Sequence, residues 1–254
     1  MTLQFETTAD RRRAVLFAVP GLLVAAVVLV GLFGLPAFGH PLPLYPSYIN
    51  AHAQAQRHVS NLVVAVVFDY RGVDTLGEEL ILFASVTGTA LLLRSSREQL
   101  AHTPTDPAPT AAVRGYGGAV VPAVVMLGLW TIAFGYITPG GGFQGGVIAG
   151  SAALLVWMVG SYRTFHEVAP ELLIHLSEGV GIIGFIAVGL VSLPSHSPYL
   201  TNVLALGTAG TLTSGGTIAV LNAFTGIAVG AGLVLLFYEF LQEHLQTLPE
   251  VTGR

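Results

Sequence analysis

The sequence predicts an all-α, polytopic membrane protein of about six transmembrane helices plus a short re-entrant or interfacial helix. Three observations carry this. Of 254 residues, 53% are hydrophobic and only 9% charged, against about 25% charged in an average soluble domain; the mean hydropathy is +0.72. Apolar runs recur at 14–35, 75–93, 117–137, 143–162, 171–193 and 217–241, each near the roughly 20 residues that cross a bilayer. The basic residues, all ten of them Arg, also fall asymmetrically.

The first run follows Arg11, Arg12 and Arg13, as in a signal peptide, and Ala37-Phe38-Gly39 offers a cleavage site. The run is longer than the roughly 7–15 residues of a signal core, so an uncleaved span is expected. Residues 61–68 are apolar but too short to cross unless 51–60 join them. A span at 55–68 would move Arg94, Arg97 and Arg114 to the outside. With six spans and both termini in the cytoplasm, only Arg57 and Arg71 lie outside, as the positive-inside rule favours. Residues 55–68 are therefore expected not to span. Residues 94–114, rich in Pro, Thr and Arg, read as a linker, and a second polar-leaning stretch, 194–216, joins the last two spans. The organisation expected is a two-span module at 1–98, a linker at 99–115 and a four-span module at 116–254.

Composition excludes several function classes. There is no basic patch for nucleic acid. There is no Cys, hence no disulfide, thiolate nucleophile or iron–sulfur ligation by this chain. His40, His52 and His58 match no zinc spacing, so no metal or cofactor is expected. No HExxH or G-x-S-x-G motif marks an enzyme.

Two motifs set polar chemistry against apolar runs. The first is Phe68-Asp69-Tyr70-Arg71-Gly72-Val73-Asp74-Thr75-Leu76-Gly77-Glu78-Glu79. Asp74 and Glu78, four apart, share a helix face. Asp74 lies at a helix start, where the dipole favours an anion. Glu79 lies roughly 7 Å further along the axis than Asp74 and points elsewhere. Arg71 is placed to pair with Asp69 or Asp74. Two readings fit: a cap with an interfacial ion cluster, or carboxylates passing a cation or proton. A cap needs one acid, and intramembrane acids mark ion paths.

The second motif is Thr138-Pro139-Gly140-Gly141-Gly142-Phe143-Gln144-Gly145-Gly146. It formally matches a dinucleotide fingerprint, but that needs a preceding strand, and here span-length helices flank it. It reads as a tight turn: Pro139 stops one span and the glycines allow positive φ and close approach. It is either a structural hairpin or broken backbone lining a path. Gly146 with Gly150, and Gly226 with Gly230, form small-residue faces expected at subunit contacts. His175 and Glu178, one turn apart, are a candidate proton relay or an interfacial pair. Asn222 is expected to hydrogen-bond between helices, and Glu239, Glu243 and His244 to form a solvated last turn.

Together the motifs resemble the Mrp-type cation/proton antiporters. Residues 68–78 resemble the end of the large A-type protein of that family, a module that stands alone (MbhE-like) in related membrane-bound hydrogenases. Residues 139–146, with Ser214-Gly215-Gly216-Thr217 and Asn222, resemble the four-span B-type (MnhB/MrpB-like) protein. The fusion of the two without the antiporter core departs from the usual arrangement. The resemblance implies an accessory subunit in the plasma or inner membrane, partnered by A/D-like core subunits, C-, E-, F- and G-like subunits and lipid. It implies Na+ or H+ as transported ions, and roles in transport for Asp74, Glu78, Pro139 and Phe143. A redox-driven complex such as a hydrogenase, or a purely structural linker, are the alternatives.

Overall fold

The computed structural model describes residues 8–35, 44–97 and 110–244. The chain divides into two units, Met1–Pro46 and Ser47–Arg254. In the first, α1 (Thr8–Phe33) carries Pro20 within it and is apolar over Ala18–Phe33. The tripeptide at 37–39, His40 and most of the linker lie outside the described residues.

The second unit holds the remaining elements from Ser47 on. Helix α2 (Leu44–Arg57) is amphipathic, burying Ile49 and Ala53. It ends where His58 turns to φ 53°. Asn61 then caps a single turn, α3 (Leu62–Ala65), by accepting from the Val63 and Val64 amides. A π-helical turn at Val66–Tyr70 follows and leads into α4 (Gly72–Arg97). After α5 (Ala111–Ala133) come α6 (Gly142–Val159), the short α7 (Tyr162–Val168), α8 (Glu171–Leu190) and α9 (Thr217–His244). Five of these helices, α4, α5, α6, α8 and α9, are long and apolar enough to cross a membrane. With α1, the count is close to the six expected.

The glycines define how these helices run. A Cβ added at Gly146 would lie 2.7 Å from the Gly226 carbonyl oxygen, and one at Gly150 2.8 Å from that of Gly230. Numbers rise together, so α6 and α9 are parallel. At Gly181 a Cβ would meet the Ala228 amide at 2.6 Å, while Gly232 faces Glu178; α8 is therefore antiparallel to α9. Gly128 meets Ala149, and Gly145 meets Ile132, which makes α5 and α6 antiparallel. Gly232 also faces Leu82 and Val86 of α4.

Helix α9 is the axis of the unit, with over half of its membrane-length window buried. Gly142, Gly146 and Gly150 of α6 sit one above another against Gly226 and Gly230 of α9. The small-residue faces expected at subunit contacts are instead used inside the chain. Two backbones without Cβ atoms between them approach closely, which is how helices gain van der Waals contact in lipid.

The turn motif also differs from expectation. Helix α5 ends at Ala133, well before Pro139, with Phe134 as its C-cap. Pro139 is an exposed residue of the connection, not the helix terminator. Gly140 (φ 142°) and Gly141 (φ 154°) do adopt positive φ, as only glycine does readily.

Candidate ion-path site

Asn61 joins the two sequence motifs. Its Nδ2 donates to the carbonyls of Gly135 at 2.7 Å, Thr138 at 3.1 Å and Gly140 at 3.1 Å. The Ser60 and Asn61 amides both donate to the Tyr136 carbonyl. The segment before the carboxylate motif thus satisfies the exposed carbonyls of the glycine turn. From the other side Asn222 of α9 does the same. Its Oδ1 accepts from the Gly142 amide at 2.7 Å and its Nδ2 donates to the Ile132 carbonyl at 2.6 Å. The expected interhelical role of Asn222 is what the structure shows. It ties the end of α5 and the start of α6 to one buried amide. Gly141 packs between Val64, Asn222 and Gln144, while Phe143 is half-buried.

At the same end, Phe68 is buried against Phe185 of α8, ring centroids 6.3 Å apart, in a cluster with Ile218 and Leu221 of α9. Asp69, the neighbour of Phe68, is drawn into the protein and forms an ion pair with Arg57 of α2. The Arg57 guanidinium also lies 5.1 Å from the centre of the Tyr70 ring, whose hydroxyl donates to Gln56 Oε1 at 2.6 Å. Burial raises the Asp69 pKa above its ordinary value, and the Arg57 charge opposes that rise. A cleft of about 280 Å³ opens beside the pair, lined also by Tyr199, Thr201 and Asn202.

The first turns of α4 divide the other acids between two faces. Asp74 is exposed and pairs with Arg71, so of the two partners open to Arg71 the structure selects Asp74. Glu78 is exposed, on the same outer face as Asp74. Glu79 points inward and is 1% exposed. Its carboxylate lies beside the Thr225 hydroxyl of α9, and neither group closes a well-formed hydrogen bond. The inward face of α4 runs Thr75, Glu79, Leu82, Val86, the spacing of one helical stripe. Thr75 is buried and donates its hydroxyl to the Val67 carbonyl.

Helix α8 repeats this division. Glu178 is 5% exposed, with Oε1 lacking a hydrogen-bond partner. His175 is exposed and lies 3.9 Å from Glu171, four residues before it. His175 and Glu178 therefore stand in different surroundings, and the structure does not pair them as a relay. Glu239, expected in a solvated final turn, is buried at 4% exposure. Its neighbour Tyr238 donates its hydroxyl to the Ala169 carbonyl, at the end of α7. The side chains of Glu243 and His244 lie outside the described residues.

Sequence spacing pointed to Asp74 and Glu78 as the acids sharing a face, and neither of them is the acid that the structure buries. Asn61, Thr225 and Gly232 were missed. The stripe from Thr75 to Val86 was the available signal: four residues at helical spacing with one acid among apolar or small neighbours.

Fold and site together define a multi-pass helical membrane protein with carboxylates buried between spans. Residues 113–235 match the family described as a domain related to the MnhB subunit of Na+/H+ antiporters. An uncharacterized protein of Methanocaldococcus jannaschii is 31% identical over 201 residues, 69% of this chain and 74% of that protein. A probable K+/H+ antiporter A/B protein of Rhizobium meliloti is 30% identical over 194 residues, 63% of this chain but 19% of that one. Among solved structures, a chain of the membrane-bound sulfane sulfur reductase, an archaeal respiratory membrane complex, superposes with a TM-score of 0.67 at 28% identity. The match covers 90% of this chain and 98% of that one. A chain of the Mrp complex from a Dietzia species shares the fold, with a TM-score of 0.65 at 20% identity, over 98% of this chain and 27% of that one. The chain is thus a relative of the Methanocaldococcus jannaschii protein over most of both lengths, and residues 113–235, just under half of it, match an MnhB-related domain. It spans about a fifth of the K+/H+ antiporter protein it matches and about a quarter of the Mrp chain.

Proposed function

We propose that this chain is an accessory membrane component of a multisubunit Mrp-type cation/proton antiporter and contributes to its ion translocation path. Residues 1–98 serve as the A-type tail module and 116–254 as the B-type module, joined by 99–115. Both termini face the cytoplasm, and the motif-bearing end faces outward. The partners are A/D-like core subunits and C-, E-, F- and G-like small subunits. One observation carries the reading: Glu79 is buried between two membrane-length helices, with no basic group paired to it among the described residues. A bare carboxylate at that depth is costly, and such groups are kept for moving charge. Asp69, Arg57, Asp74, Arg71 and Glu78 supply a charged approach at the same end. The turn from Pro139 to Phe143 shapes it, with Gly140, Gly141 and Gly142 at the points of closest approach.

The test is transport by the assembled complex in proteoliposomes. Glu79→Gln is expected to slow cation-coupled proton movement about tenfold or more, a barrier change of about 1.4 kcal/mol, with the composition of the complex unchanged. Wild-type rates in Asp74→Asn, Glu78→Gln and Glu79→Gln alike would overturn the path and leave a structural linker.

A second reading has its own support. The reductase chain matches nearly end to end, so the same component suits the ion-moving arm of a redox-driven complex. Mass spectrometry of the gently extracted complex separates the two. Antiporter-like proteins alone support the stand-alone antiporter, and added iron–sulfur or metal-binding proteins support the redox pump.

A further inference from the structure

We infer that Glu79 and Glu178 are successive proton-carrying stations of one passage that follows α9, with the missing side chain of Gly232 forming the gap between them. This rests on the reading of the chain as part of an ion path and adds its route and its cargo.

The geometry starts from Gly232. A Cβ placed there would lie 3.4 Å from Glu178 Oε1, 3.5 Å from Val86 and 3.6 Å from Leu82. Glu178 of α8 therefore faces the same small volume as the stripe of α4 that carries Glu79, and Leu82 is one turn beyond Glu79. On α9, Thr225 marks the level of Glu79 and Gly232 that of Glu178, seven residues or about 10 Å apart along the axis. Glu79 and Glu178 are 1% and 5% exposed. Both Glu79 oxygens, the Thr225 hydroxyl and Glu178 Oε1 lack well-formed hydrogen bonds among the described residues. Buried polar atoms in native structures are nearly always satisfied. Unsatisfied buried atoms beside one face of α9 call for water or a proton.

The donor set selects the cargo. Glu79 has one hydroxyl beside it, and Glu178 faces apolar atoms and a glycine. Hard cations take about six oxygens, and neither position offers that. A proton needs only one carboxylate oxygen at a time. The other charged groups described on these helices stand apart: Asp74 and Glu78 are exposed on α4, His175 is exposed on α8 with the half-buried Glu171 a turn before it, and Glu239 lies two turns further along α9.

Two measurements on the whole complex test this. In the wild type, a hydrophobic carbodiimide, which reacts with protonated carboxyls shielded from water, is expected to modify Glu79 and Glu178, read by peptide mass spectrometry. In proteoliposomes, Glu178→Gln is expected to slow proton movement at least tenfold, Glu178→Asp less. Gly232→Ala, whose Cβ fits the space with ordinary contacts to Glu178, Val86 and Leu82, should slow transport in part, and Gly232→Val should slow it more, both with the complex assembled normally. Wild-type transport by Glu178→Gln while Glu79→Gln is inactive would overturn this route and leave the general reading standing. Wild-type transport by both would overturn this route, and the general reading would fall with it if Asp74→Asn and Glu78→Gln were wild type as well. Protection of Glu178 from the carbodiimide by added Na+ would make it a cation site and overturn the proton assignment.

Discussion

Helix α9 has two sides of opposite character. Toward α6 it presents Gly226 and Gly230, and the facing glycines bring backbone to backbone. Toward α4 and α8 it presents Thr225 and Gly232, and the facing residues include Glu79 and Glu178. Both sides use small residues, for different ends. On the α6 side the missing Cβ atoms are filled by the partner helix, so the seam is closed. On the α4 and α8 side the missing Cβ of Gly232 is met at 3.4 to 3.6 Å by side chains of two helices, which leaves room beside a carboxylate. A glycine stripe in a membrane helix therefore does not by itself reveal its purpose. What faces it does.

The sharpest way to break the closed side is Gly146→Leu. Its Cβ alone would lie 2.7 Å from the Gly226 carbonyl oxygen and 3.0 Å from the Gly230 amide. Backbone cannot step aside as a side-chain end can. Overpacking of this kind costs typically about 1–3 kcal/mol and more where nothing yields. Loss of the folded chain from membranes is expected, read by its abundance and by its co-purification with partners. Gly232→Ala, on the other side of the same helix, should accumulate normally. Equal abundance of the two variants would erase the distinction between the seams.

A smaller effect is expected at the end of the bundle, where acids are paired. Arg57→Ala leaves Asp69 buried without its partner. Removing one member of a buried pair costs about 3–5 kcal/mol, and the partial exposure of Arg57 reduces this to about 2–3 kcal/mol. The pH dependence has a definite sign. Burial holds the Asp69 pKa above its ordinary value while Arg57 opposes it. A folded acid with a raised pKa binds its proton more readily than the unfolded chain does. Its contribution to stability then declines as pH rises from the ordinary value through the folded one. Without Arg57 the rise is larger, so the variant's thermal stability in detergent should be lowest at neutral pH and recover toward acid. A deficit that deepens in acid would show that Asp69 has another partner.

Hydropathy was enough to find the spans because backbone in lipid must satisfy itself, which leaves helices as the solution here. The parallel run of α4, α6 and α9 also agrees with alternating passage through the membrane. Boundaries were less legible. Helix α5 stops at Ala133 because Asn222 and Asn61, distant in sequence, take up the carbonyls of the turn, and Pro139 suggested a later end. The division of the acids failed for a related reason. Spacing tells which acids share a face of α4, and only the partner helix decides which face is inside. Thr225 and Gly232, far along the chain, make the inside. His175 and Glu178 show the same limit, since one turn apart on α8 was read as a pair and became one exposed and one buried group.

The smallest effect is expected at Asp74, and it bears most directly on how the mouth and the interior differ. Its pair with Arg71 is more than half exposed on both sides. Exposed pairs are worth about 0–1 kcal/mol, so Asp74→Asn should leave stability within that range. Its charge stands at the start of α4, where it raises the local concentration of cations in a salt-dependent way. Transport by Asp74→Asn is therefore expected to fall a few-fold at low ionic strength and to approach wild type as salt screens the field. Glu79→Gln, acting where salt does not reach, should show the same deficit at every ionic strength. Salt-independent loss in Asp74→Asn would place Asp74 inside the path with Glu79, and the mouth and the interior would then be one continuous site.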